Sequence, residues 1–77
     1  MYIFLIKGEG ENVGQSNTFQ SHVIIAKGVD EVLKLAKAHA LDEGKDAWNE
    51  KGIEKLGVYT GEKKMSYIVV SHLVYES

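Results

Sequence analysis

The sequence predicts an α+β fold: a small antiparallel β-sheet in ββαββ order, with one amphipathic helix packed on one face. Apolar residues alternate with a period of two near the start, in YIFLI and TFQSHVIIA, and again near the end, in MSYIVVSHLVY. Between them the period becomes helical, with Val29, Val32, Leu33, Ala36, Ala40 and Leu41 along one face. Polar stretches containing glycine separate these segments.

The first strand places Tyr2, Phe4 and Ile6 on one side and Ile3, Leu5 and Lys7 on the other. The second places Phe19, Val23 and Ile25 on one side and His22, Ile24 and Ala26 on the other. The intervening IKGEGENVGQSN reads as a hairpin connection with its tip near Gly10 to Gly14. The helix is expected from about Asp30 to Glu43, with acids at its positive end and Gly44 as its stop. KDAWNEKG adds a short helical turn capped by Asp46. A third strand covers Leu56 to Tyr59, and Thr60 to Lys64 forms a turn into a fourth strand from about Met65 to Tyr75. The last two strands are expected to form a second hairpin.

A chain of 77 residues, 44% hydrophobic and 26% charged, supports one globular domain and one core. It has no cysteine, which excludes disulfides, thiolate zinc sites and thiol nucleophiles. All nine basic residues are lysines, largely interleaved with acids, and the net charge is −2. The absence of arginine and of a clustered basic face argues against nucleic-acid binding. No apolar run approaches the length of a membrane span, and the first is too short for a signal-peptide core, so a soluble cytoplasmic protein is expected.

The glycines at 8, 10 and 14 invite comparison with phosphate-binding loops. Such loops run directly into a helix N-terminus, whereas these lead into a strand, and Glu9 and Glu11 would repel a phosphate. A mobile hairpin connection without phosphate affinity is the expectation. His22, His39 and His72 fall on three separate elements. If the second and fourth strands were neighbours, His22 and His72 could approach and hold a metal; structural, hydrogen-bonded histidines are the alternative preferred here. No serine sits in a nucleophile motif, so neither an enzyme nor a bound cofactor or metal is expected.

The fourth strand is apolar on both faces, with Ile68, Val70, His72 and Val74 one way and Tyr67, Val69, Leu73 and Tyr75 the other. Because one helix can dry only one face of a sheet, the second face calls for another cover. A homodimer or higher oligomer, or a partner protein, would supply it, and Trp48, Tyr67, Val69, Leu73 and Tyr75 are the candidate interface residues. Trp48 serves either as a core anchor or as an exposed hot spot. An acidic surface gathers Asp42, Glu43, Asp46 and Glu50. For a nucleotide ligand the candidates are Tyr59, Lys63, Lys64 and His72, joined by Tyr67 at an oligomer interface.

The run HVIIAKGVDEVLKLAKAHA, followed by KLGVYTGE and YIVVSH, resembles small bacteriophage-encoded α+β accessory proteins over most of the chain after Thr18. That resemblance implies action by binding, for example inhibition of a host enzyme or antiviral defence component in the host cytoplasm. Sequestration of a nucleotide signal is the alternative it offers.

Overall fold

The computed structural model describes residues 1–62 and 64–74. Four strands, β1 (Tyr2–Lys7), β2 (Thr18–Ala26), β3 (Ile53–Val58) and β4 (Tyr67–Val74), form one antiparallel sheet. One helix, α1 (Val29–Ala38), packs on it, and two single 3-10 turns follow at Lys45–Ala47 and Glu50–Gly52.

The sheet order is β3-β1-β2-β4, so β3 and β4 lie on opposite edges and form no hairpin. This corrects the expectation from the sequence. β1 and β2, apolar on both faces, occupy the centre; β3, with Glu54 and Lys55, takes one edge and the apolar β4 the other. β2 and β3 are each antiparallel to β1 and hence parallel to one another, with α1 as their connection. The segment from Tyr59 to Ser66 crosses three strand spacings, about 14 Å, to reach the far edge. Ser66 anchors it by donating from Oγ to Glu31 Oε2 at the start of α1.

Glu31 also accepts the Lys27 backbone N–H at 2.9 Å, which closes the helix N-terminus from its third position; Gly28, not Asp30, is the N-cap residue. These two hydrogen bonds, the one from Ser66 foremost, hold the Glu31 carboxyl below its ordinary value. The helix ends at Ala38 instead of near Glu43, where His39 Nδ1 donates to the Leu35 carbonyl at 2.9 Å. Asn49, not Asp46, supplies the side-chain cap downstream, accepting from the Lys51 N–H at 3.0 Å.

The core lies between α1 and one sheet face. Val32 and Ala36 of the helix meet Phe4, Ile6, Ile24 and Ala26 of the central strands, and Ala47 and Trp48 close one end. Irregularities in pairing between Phe19 and Ser21 and between Val23 and Ile24 shift side chains from the faces that simple alternation assigns. Phe19 therefore joins His22 and Ile24 on the helix face instead of Val23 and Ile25, and Leu73 stands opposite Phe19.

Just before β3 the chain approaches β1 closely at Gly52, whose position leaves no room for a Cβ against the Lys7 backbone carbonyl. Gly52→Ala is expected to force the strands apart and lower stability by about 1–3 kcal/mol. A urea melt unchanged from the parent would contradict that contact.

Candidate functional site

Two assemblies stand out, one buried and one exposed. The buried one begins with Glu43, which the helical pattern placed on an acidic surface but which is only 5% exposed. Once α1 has ended, the chain turns inward there. Its Oε1 accepts the backbone N–H of Phe19 at 3.1 Å and of Leu41 at 3.0 Å, and its Oε2 accepts Trp48 Nε1–H at 3.0 Å. One carboxylate thus ties the start of β2, the segment after the helix and the tryptophan together.

Trp48 is 1% exposed, which settles its role as a core anchor and removes it from the interface candidates. Its ring lies 4.8 Å from the His22 ring, and the His22 ring lies 4.8 Å from that of Phe19. His22 Nδ1 shares a 2.6 Å hydrogen bond with Ser71 Oγ, while its buried Nε2 has no hydrogen-bond partner among the described residues. Burial is the main cause pushing the His22 pKa below its ordinary value; nearby Glu43 raises it and His39 lowers it further. A neutral, packed imidazole follows.

β2 and β4 are neighbours, yet His22 and His72 do not meet. His22 stands opposite Ser71 on the helix face, and His72 stands opposite Ser21 on the other. No cluster of three metal-ligating side chains occurs among the described residues.

The glycine loop is tied down at several points. Gly8 N–H donates to the Gln20 carbonyl at 2.8 Å and Glu9 N–H to the Ala47 carbonyl at 2.9 Å. Thr18, fully buried, donates from Oγ1 to the Gln15 carbonyl at 2.6 Å and accepts the Gly14 N–H at 3.3 Å. Val13 packs against the core. Gly10 and Gly14 adopt φ of 134° and 92°, so glycine here serves a chain reversal.

The exposed assembly is the sheet face opposite α1, built of three cross-strand rows. Gly57, Ile3, Ile25 and Tyr67 form the first, and Glu54, Leu5, Val23 and Val70 the second. Lys7, Ser21 and His72 form the third, a polar end to the surface, and Glu54 makes the β3 end of the second row polar as well. Over the first row Tyr67 meets Tyr59 edge to face, with ring centroids 6.4 Å apart, and donates to its hydroxyl at 3.4 Å. That hydrogen bond is the leading cause raising the Tyr67 pKa. Ile25 is 5% exposed in this row, whereas Val70 in the second row is 57% exposed.

The candidates read from the sequence divide accordingly. Tyr67 lies on the open face; Val69, 51% exposed, lies on the edge strand at the pairing irregularity. Leu73 belongs with Phe19 on the helix side. Lys63 and Tyr75 lie outside the described residues. Lys64 borders a shallow pocket with Met65, Ser66 and Tyr67, and His72 borders another with Lys7, Gly8, Val13, Gln20 and Ser21. Tyr67 and His72 are five positions apart on β4, about 17 Å, so Tyr59, Lys64, Tyr67 and His72 do not converge on one ligand. Leu5, Val23 and Val70 complete the open face. The alternation of β1 marks Leu5, but no local signal places Val70 beside Val23, because the irregularity at Val69 shifts the register.

These features define a one-helix, four-stranded α+β protein with one covered and one open sheet face. No protein family, curated protein or solved structure compared with this chain matches it. No helix among the described residues is long and apolar enough to cross a membrane.

Proposed function

We propose that this protein acts by occupancy, without turnover, as an inhibitor or accessory factor that engages another protein through its open sheet face. The observation that carries the reading is the second row, where Leu5, Val23 and Val70 form an apolar strip with Val70 57% exposed. The polar row of Lys7, Ser21 and His72 rims this strip, the arrangement of apolar centre and polar edge that protein interfaces use. Small phage-type accessory proteins, which the sequence resembles, would act in this way on a host protein. The separation of His72 from the tyrosine pair weighs against a nucleotide site built from both.

The test is affinity capture from host lysate with the parent chain and with Leu5→Gln and Val23→Thr, beside mass spectrometry of small molecules released on denaturation. A partner held by the parent and lost by both folded variants is expected. Removing one anchoring side chain should cost about 2 kcal/mol, roughly a thirtyfold loss of affinity. A partner retained equally by both variants would place the surface elsewhere. Multiple-turnover conversion of a released molecule would overturn action by occupancy.

A further inference from the structure

We infer that β4 is an adhesive edge that pairs antiparallel with β4 of a second copy, joining two four-stranded sheets into one of eight strands. This concerns the edge of the sheet and stands apart from the open-face reading.

An outermost strand presents a row of backbone N–H and C=O groups without strand partners, and proteins ordinarily guard such an edge with charge, proline or brevity. β3 carries that protection: it is six residues long and contains Glu54 and Lys55. The Lys55 ammonium sits 3.7 Å from the centroid of the Tyr2 ring. β4 is eight residues long, YIVVSHLV, with no lysine, acid or proline and with Val69 and Val70 more than half exposed. Its composition is that of a segment with high β-propensity and low charge, the kind that recruits another strand.

The same contrast selects the occupant. When two antiparallel copies of a strand pair in one sheet, the two-fold axis runs perpendicular to the sheet and one residue faces its own copy. A lysine or glutamate near that axis would meet like charge, and β4 offers none. Pairing of β4 with β3 of another copy would leave edges free and propagate into a filament, but the charges of β3 oppose it. Self-pairing closes after two copies. The perpendicular axis keeps both helices on one side and sets the two open faces side by side as one broader surface.

The experiment combines sedimentation velocity over a wide concentration series with amide hydrogen exchange at its two extremes, on the full chain. A monomer–dimer equilibrium is expected, with β4 amides gaining protection at high concentration and β3 amides unchanged. Val69→Lys, and independently Val70→Lys, should weaken the dimer about tenfold or more while retaining the parent circular dichroism spectrum. The exchange measurement on the parent chain decides the matter even if either variant fails to fold. A monomer at every concentration would overturn the inference. So would filaments, or a dimer whose β4 amides stay unprotected and that Leu5→Gln abolishes, since that dimer stacks face on face.

Discussion

Trp48→Ala is expected to lower the unfolding free energy by about 3–5 kcal/mol, the usual cost of emptying a buried tryptophan site. A chain of 77 residues has roughly 4–12 kcal/mol of stability in all, so this variant should lose a large share of it and melt at a much lower urea concentration than the parent. The cost arises because the indole fills the end of the core between His22 and the glycine loop. A Cβ on Gly8 would already lie 3.4 Å from the ring. Glu43→Ala should cost nearly as much by a different route, since it strips the acceptor from Phe19 N–H, Leu41 N–H and Trp48 Nε1–H together. Trp48→Phe and Glu43→Gln both disturb the indole-to-carboxylate bond, so their effects should fall short of adding. Urea titrations read by circular dichroism for the Trp48 variants, and by the single tryptophan's fluorescence for the Glu43 variants, supply the cycle. Strict additivity would show that the two side chains do not act as one unit.

Acidification through the histidine range should destabilise the fold, with His22 as the cause. Its folded-state pKa lies below the ordinary 6.5, chiefly through burial, so the unfolded chain takes up a proton first. The stability conferred by a neutral His22 is therefore complete above pH 6.5 and lost progressively below it, until the pH reaches the lower folded value. The slope approaches about 1.4 kcal/mol per pH unit for one proton. Glu31, whose pKa is lowered by its bonds from Ser66 and Lys27 N–H, acts in a separate window below its ordinary 4.5. The double variant His22→Phe with Ser71→Ala removes the imidazole and its hydroxyl partner together, and it should flatten the slope below pH 6.5. Nuclear magnetic resonance titration of the His22 ring gives the direct reading, and a pKa at or above 6.5 would refute this account.

The element types, the ββαββ order and the existence of two apolar sheet faces were legible in the sequence because alternation and helical period are set by near neighbours along the chain. YIFLIK became β1 and VDEVLKLAKA became α1 as their spacing predicts. The surplus apolar face was legible for the same reason, in Ile3 and Leu5 opposite Phe4 and Ile6. Three things were decided only in three dimensions. β3 and β4 lie on opposite edges with β1 and β2 between them, an order no turn sequence between residues 59 and 66 records. Irregular pairing at Gln20 and Val69 moved Phe19 and Leu73 to the helix side, and a single extra residue in a ladder leaves no mark in composition. Glu43 became a buried acceptor because three N–H groups distant in sequence converge where α1 stops. Local periodicity thus determined which segments are strands and which is the helix. Strand order, side-chain face and the fate of one carboxylate depended on long-range packing and hydrogen-bond satisfaction, which only the assembled sheet and helix impose.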